Sequence, residues 1–127
     1  MPKTYQLRIT DLWKDTTRNL SAQMKQIVND KVENIIRYDP LGQEALHGSL
    51  EPLWSYNKIE TDNRIIYAVC EDCRKRKLMT VNNCVGCSSY PNNTIFLWAF
   101  GGHDMYHTLE RQRDKAWKKA KKKSTSN

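Results

Sequence analysis

In the N-terminal third of the chain, apolar residues recur first with the period of a strand and then with the period of a helix. Tyr5, Leu7 and Ile9 are separated by single polar residues, which predicts a strand with one buried face. Apolar residues then recur every three or four positions, which predicts helices that pack one stripe against a core. The positions of this stripe are Leu20, Met24, Ile27, Val28, Val32, Ile35 and Ile36.

Capping residues divide this helical region into two helices. Thr10 or Asp11 can cap the first helix, and Ser21 can cap the second, so we predict a break near residues 18–21. Pro40 ends the region, because proline disfavours a helical conformation in the residue before it. The pattern therefore predicts a two-helix hairpin directly after the first strand.

The rest of the body has the pattern of strands. Apolar runs at 54–59 and 64–69 flank a turn at 61–63 and predict a hairpin, and a third run at 94–100 stops at two glycines. Residues 108–122 are highly charged with few apolar positions and predict a final helix. This order of elements predicts an α+β fold with a mainly antiparallel sheet.

Length and charge narrow the class of protein. The chain has 127 residues, so we expect residues 1–127 to form one domain. No apolar run approaches the roughly 18 residues of a membrane span, and no signal-peptide pattern is seen, so we expect a cytoplasmic protein without membrane contact. Residues 111–127, with eight basic side chains and one acidic, carry the entire net charge of +7, so the C-terminal segment 108–127 suits contact with nucleic acid, or else forms a solvated helix.

Four cysteines lie in an insert, residues 70–87, between the last two predicted strands. They form two C-x2-C pairs separated by ten residues, Cys70 and Cys73, then Cys84 and Cys87. This spacing predicts a zinc knuckle, in which four thiolates bind a structural zinc ion and leave no position for a catalytic water. Two disulfides are the alternative, which a cytoplasmic location disfavours. We expect a small hairpin without a core, which needs a metal to fold.

Three short segments, in this order along the chain, are similar to the RelE/ParE toxin superfamily. They are LHGSL at 46–50 with LWS at 53–55, NRIIY at 63–67, and FGGHDMY at 100–106. The resemblance covers roughly residues 5–106 apart from the insert, and within the superfamily it points to the RNA-cleaving RelE and YoeB branches. It implies a RelE-like fold and the toxin of a type II toxin–antitoxin system. Such a toxin cleaves mRNA at the ribosome without a metal and is held inactive by a cognate antitoxin.

The resemblance also implies catalytic roles for four residues. RNA supplies its own nucleophile, the 2′-hydroxyl, so the protein needs a base, a cation for the developing charge, and an acid for the leaving oxygen. Glu44 matches the base, and Arg64 matches the phosphate-binding arginine, whose planar fork suits phosphate oxygens. His103 matches the general acid, because the pKa of histidine ordinarily lies near neutrality. Tyr106 orients the phosphate or stacks on a base.

Four basic residues and one histidine are expected to make further contacts with mRNA or ribosomal RNA. They are Lys58, His47, Arg111, Arg113 and Lys115. Plainer roles stay open for the catalytic set. Glu44 can be a solvated loop carboxylate, Arg64 can pair with Asp62 or Glu60 in the hairpin turn, and Tyr106 can pack a helix.

Two other function classes fit parts of the sequence. One is a non-catalytic, ParE-like toxin that poisons DNA gyrase, and the other is a zinc-ribbon RNA-binding protein. The joint presence of Glu44, Arg64 and His103 favours the ribonuclease, because a protein that only binds has no need of an acid–base set.

Overall fold

The computed structural model describes residues 5–46, 50, 53–59, 62–75, 90–102 and 104–111. In chain order its elements are β1 (Gln6–Ile9), α1 (Asp11–Thr17), α2 (Ala22–Lys31), a π-helical turn (Val32–Ile36), a 3-10 turn (Pro40–Gly42), β2 (Glu44–Ala45), β3 (Trp54–Ile59), β4 (Asn63–Val69), α3 (Cys70–Lys75) and β5 (Thr94–Gly101). A last helix, α4, begins at 105 and is described as far as 111. The predicted α+β class is confirmed. Within the described residues, no helix is long and apolar enough to cross a membrane.

Both predicted helix starts are confirmed. The Thr10 hydroxyl accepts the Trp13 N–H at 3.1 Å, and the Ser21 hydroxyl accepts the Met24 N–H at 3.1 Å. These side chains satisfy amide groups that have no partner inside their own helices. The sequence pattern did not predict the π-helical turn that continues α2, in which Arg37 donates its N–H to a carbonyl five residues earlier.

The five strands form one sheet in the order β1-β5-β4-β3-β2. The β3–β4 hairpin is confirmed, and the pairs β2–β3, β3–β4 and β4–β5 are antiparallel. β1 pairs in parallel with β5, so the sheet is mixed rather than antiparallel throughout. A four-residue strand carries no sign of its partner's direction, because that direction depends on a segment almost ninety residues away.

Two threonines, one at the N-cap of α1 and one within it, bond to backbone groups of β5 beyond the point where β1 ends. The Thr10 hydroxyl donates to the Trp98 carbonyl at 2.7 Å, and the Thr16 hydroxyl accepts the Phe100 N–H at 3.0 Å. Peptide groups of a buried strand need partners, and here side chains of the preceding helix supply them. The first helix is therefore fixed against the end of β5.

The sheet is covered on both faces. One core cluster joins it to α1, α2 and the π-helical turn; its buried members include Trp13, Val28, Val32, Ile36, Trp54, Tyr56, Ile65, Tyr67, Val69, Ile95, Leu97 and Phe100. The second cluster lies on the opposite face, here called the α4 face, against α3, α4 and three loop leucines. Its buried members are Leu46, Leu50, Leu53, Ile66, Ala68, Cys70, Cys73, Phe96, Ala99, Met105 and Leu109.

The first part of the cysteine insert differs from the core-free hairpin that we expected. Residues Cys70–Lys75 form α3, and both of its cysteines are buried in the second core cluster. C-x2-C spacing indicates a pair of ligands but not their backbone conformation. The second pair, Cys84 and Cys87, and the tail from residue 112 lie outside the described residues.

Candidate active site

Arg64 lies at the beginning of β4, where the α4 face meets the end of the sheet. It is two residues before Ile66, so alternation along the strand places both on the same face. Its guanidinium carbon is 5.3 Å from the centroid of the Tyr106 ring, which is a cation–π distance. The Arg64 side chain is only 18% exposed. The structure thus brings together two of the four predicted catalytic residues.

A glycine allows this contact to form. Gly101 is the cross-strand partner of Arg64, and a Cβ atom at position 101 would lie 3.3 Å from the Met105 sulfur, closer than such contacts normally are. The start of α4 can therefore approach the strand closely. That approach places Tyr106, the next residue of the helix, over the guanidinium group.

Asp62 holds the other side of Arg64. Its carboxylate accepts a hydrogen bond from Arg64 Nη2 at 3.1 Å, so the pairing considered from the sequence does occur. Asp62 has a positive φ of 61°, a left-handed conformation that aspartate tolerates better than most residues. Because its side chain is 67% exposed, solvent screens the ion pair and its contribution to stability is small. The pair therefore mainly orients the guanidinium group.

Glu44 lies on the same face, two strands away. It pairs across β2 and β3 with Ser55, which in turn pairs with Ile66 of β4. Strand spacing and the rise per residue then give a separation of roughly 12 Å between the Glu44 and Arg64 Cα atoms. Two long side chains extended toward each other can span that distance. The Glu44 carboxylate is exposed and accepts a hydrogen bond from Asn57 Nδ2 at 3.0 Å.

The two predicted histidines lie outside the described residues, so neither His103 nor His47 has a described position. The residue before His103 is described: a Cβ atom at Gly102 would be 3.9 Å from the Asp62 carbonyl oxygen. Position 102 therefore lies beside Asp62, in the turn that leads into β4.

The remaining predicted RNA contacts lie apart from this pair. Lys58 lines a groove of about 770 Å³ together with residues of α2, on the face of the sheet opposite Arg64. Arg111 is exposed at the last described position of α4, and Arg113 and Lys115 lie outside the described residues. The structure does not bring Lys58 together with Glu44 and Arg64.

Asn57 is a site residue that sequence reasoning missed. It lies in β3 where the pairing with β4 becomes irregular, after Tyr56, and its side-chain amide donates to the Glu44 carboxylate. Only the register between β2 and β3 reveals this relation. β2 has two residues, too few to produce a periodic pattern from which the register could be predicted.

Metal-binding residues are described only in part. In the part of the chain that the structure covers, no group of three or more histidine, cysteine or acidic side chains is placed to hold a metal ion. Cys70 and Cys73 are described and buried, whereas the other two predicted zinc ligands, Cys84 and Cys87, are not among the described residues.

The mixed five-stranded sheet, with two helices on one face and α4 on the other, has the RelE-like fold that the sequence predicted. The chain is similar to one from the RelBE2 toxin–antitoxin complex of Mycobacterium tuberculosis, with a TM-score of 0.54, 13% identity, and coverage of 81% of this chain and 100% of that one.

Two Escherichia coli structures are similar to the same extent. An arginine-to-alanine double mutant of the toxin RelE, in complex with a peptide of the antitoxin RelB, gives a TM-score of 0.54 and 12% identity, covering 84% of this chain and 94% of that one. The isolated RelE toxin gives 0.53 and 12%, covering 85% and 98%. No protein-family profile and no curated protein matches the sequence. At this level of identity, the likeness establishes the fold.

Proposed function

We propose that this protein is the toxin of a toxin–antitoxin system and that it acts as an endoribonuclease on mRNA. The observation that carries this proposal is the placement of Arg64 against Tyr106, on the face of the sheet that also holds Glu44. A guanidinium group held between a ring and a carboxylate at the end of an inner strand is suited to bind a phosphate. The RelE-like fold supports the assignment, because the similar structures are of RelE toxins.

In the proposed reaction, the RNA 2′-hydroxyl attacks the adjacent phosphorus atom. Glu44 accepts the hydroxyl proton, and the hydrogen bond from Asn57 orients its carboxylate. Arg64 stabilises the negative charge that develops on the phosphate oxygens. His103 donates a proton to the leaving 5′-oxygen. The products are a 2′,3′-cyclic phosphate and a free 5′-hydroxyl.

This chemistry does not require a metal ion, because the nucleophile belongs to the substrate and the charge is stabilised by an arginine. We therefore expect RNA cleavage by the folded protein to continue in the presence of EDTA. Circular dichroism recorded on the same sample distinguishes loss of catalysis from loss of structure. Immediate loss of cleavage by protein that is still folded would contradict a metal-independent reaction.

The proposed partners are mRNA, the ribosome and a cognate antitoxin. Arg111 is exposed and continues into the basic tail, where Arg113 and Lys115 are proposed to contact RNA phosphates. His47 and Lys58 remain proposed RNA contacts. An antitoxin is proposed because two of the similar structures contain a toxin in complex with its antitoxin or an antitoxin peptide.

The test is cleavage of a defined mRNA, with and without ribosomes, read by primer extension. Arg64→Ala and His103→Ala are each expected to lower the cleavage rate by roughly 10²-fold or more, the usual cost of losing a positioned catalytic group. Arg18→Ala is the matched control, because Arg18 is 69% exposed and pairs only locally with Asp15 on α1. Binding of RNA is measured in parallel.

Two outcomes would reject the proposal. Unchanged cleavage in both Arg64→Ala and His103→Ala would exclude this site. Inhibition of DNA supercoiling without any RNA cleavage would favour a gyrase poison instead. Retained RNA binding with lost cleavage supports the catalytic assignment.

A further inference from the structure

A second arginine–tyrosine pair lies on the α4 face, near the beginning of β5, whereas Arg64 lies beside its end. The Arg8 guanidinium carbon is 5.3 Å from the centroid of the Tyr90 ring, the same distance as in the pair at the proposed active site. Arg8 is the register partner of Phe96, a member of the core cluster on the α4 face, so Arg8 lies on that face too. The proposed reaction does not use this pair.

Contacts with the sheet and with α3 hold Tyr90 in place. Its ring meets the ring of Phe96 edge-on, with the two centroids 5.3 Å apart. The Tyr90 carbonyl accepts a hydrogen bond from the guanidinium group of Arg74 on α3, which also donates to the Asn92 side chain. Arg8 therefore packs on a surface that does not have to be ordered when a ligand binds.

The Arg8 side chain is accessible to a ligand. It is exposed on β1, and no carboxylate of the described residues lies at ion-pair distance from it. By contrast, Arg18, Arg37 and Arg64 each pair with an aspartate or a glutamate. A guanidinium group that lies over a ring keeps its N–H donors in its own plane, where they can bind phosphate oxygens.

The charge around the pair also suits a polyanion. β1 and α3 together carry three basic side chains, Arg8, Arg74 and Lys75, and two acidic ones, Glu71 and Asp72. Asp72 is buried and accepts the indole N–H of a core tryptophan at 3.0 Å, so its carboxylate is turned into the protein. The surface therefore has an excess of positive charge, which attracts phosphates.

We propose that Arg8, held by Tyr90, binds a phosphate of the RNA that flanks the scissile linkage. This second site rests on the proposed function, because RNA is its ligand. Arg8, Phe96 and Ala68 lie in one row across the sheet. Arg64 lies four residues before Ala68 on β4, so strand spacing and the rise per residue separate the Cα atoms of Arg8 and Arg64 by roughly 16 Å. At that separation the two arginines bind different phosphates of one strand.

An aromatic residue between the two pairs favours single-stranded RNA as the ligand. The pairing of β4 with β5 shifts between Ile66 and Tyr67, and Trp98 is the extra residue of this β-bulge. Its side chain is half-buried and packs against the α4-face cluster, as do Tyr90 and Tyr106. Half-buried rings next to basic groups form the kind of surface on which unpaired bases stack.

The test measures binding of a single-stranded RNA of about ten nucleotides by fluorescence anisotropy, with 2′-O-methyl groups that prevent cleavage. Arg8→Ala should weaken binding about fivefold at about 0.1 M salt and lower the slope of log K against log salt by about 0.7, the contribution of one phosphate on a single strand. Tyr90→Leu should weaken binding about twofold, because the ring only positions the guanidinium group. Arg18→Ala is the control and should bind as the wild type does, since Arg18 pairs locally with Asp15.

Two further measurements separate a phosphate contact from a general loss of binding. Replacing one phosphate at a time with an uncharged methylphosphonate should reveal a flanking linkage at which its loss and Arg8→Ala are not additive. In the cleavage assay, Arg8→Ala should raise KM and leave kcat within about twofold of wild type, because Arg8 does not touch the reacting atoms. Arg64→Ala should instead lower kcat.

The outcomes distinguish this site from the proposed ribonuclease. Unchanged affinity of Arg8→Ala for an RNA that the wild type binds and cleaves would overturn the second site alone. A wild-type chain that cleaves no RNA but loses RNA affinity in Arg8→Ala would overturn the ribonuclease and support the phosphate contact. If Arg8→Ala kept its RNA affinity and weakened only the binding of a polyglutamate peptide, the pair would recognise an acidic protein, and the RNA site would be rejected.

Discussion

The contact between Arg64 and Tyr106 gives the sharpest prediction about the site. Replacing Tyr106 with leucine keeps an apolar side chain but removes the ring that faces the guanidinium group at 5.3 Å. Cation–π pairs stabilise by about 0.5–1 kcal/mol when exposed and about 2 kcal/mol when desolvated. Because the Arg64 side chain is 18% exposed, it lies toward the desolvated end of that range. A loss of about 1–2 kcal/mol corresponds to a decrease of roughly 5- to 30-fold in kcat/KM.

The substitution with phenylalanine separates the ring from the hydroxyl. Tyr106→Phe retains the aromatic face, so kcat/KM for mRNA cleavage should stay within about twofold of wild type. Tyr38→Leu is the matched control, since Tyr38 is 58% exposed at the end of the π-helical turn and lies in neither core cluster. Its cleavage rate should equal that of wild type. The assay is single-turnover cleavage of a defined RNA.

Two results would refute this reasoning. If Tyr106→Phe were as damaging as Tyr106→Leu, the hydroxyl would have a chemical role that the ring contact does not describe. If Tyr106→Leu cleaved normally, the ring contact would not be needed to position Arg64. A double-mutant cycle with Arg64→Ala adds a direct check, because two groups that act as a unit give non-additive losses.

Two further predictions concern stability, measured by urea denaturation. Thr16→Val removes the acceptor of the Phe100 N–H and should lower the free energy of unfolding by about 1–3 kcal/mol. Thr17→Val removes only a hydroxyl hydrogen bond within α1 and should lower it clearly less. Equal losses of stability would contradict the proposed link between α1 and β5. Tyr67→Phe removes a buried hydrogen bond to the Pro40 carbonyl and should cost about 1 kcal/mol near neutral pH. Burial raises the pKa of Tyr67, and the Asp39 carboxylate adds a smaller increase. The extra stability of the wild type over Tyr67→Phe is therefore complete below about pH 10 and falls by up to about 1.4 kcal/mol per pH unit above it. Parallel curves of unfolding free energy against pH for the two proteins would contradict this.

Local signals along the sequence predicted much of the fold. The caps Thr10 and Ser21 fix the helix starts through hydrogen bonds to residues three positions away, so the information lies within one turn. The parallel pairing of β1 with β5 joins segments at opposite ends of the body, and no local pattern encodes it. The π-helical turn was also not predicted. Its hydrogen bonds reach five residues back instead of four, and this leaves the spacing of apolar residues almost unchanged.

The site shows the same division between local and distant information. Arg64 and Tyr106 were predicted from short motifs, and the structure brings them into contact. Asn57 could not be predicted as a partner of Glu44, because that contact depends on the register of a two-residue strand. Residues 70–75 were predicted as part of a hairpin but form the helix α3. Cysteine spacing indicates metal ligands and does not specify whether the backbone between them is helical.

The arrangement of strand lengths has a consequence for how the folded chain behaves at high concentration. The seven- and eight-residue strands β4 and β5 lie inside the sheet, while the edges, in the part of the chain that the structure describes, are β1 with four residues and β2 with two. Short edges expose few unpaired peptide groups, so another copy of the chain finds little backbone on which to add a strand. This order of strands disfavours growth of the sheet into fibrils, and any protein that docks along an edge must gain most of its affinity from side chains.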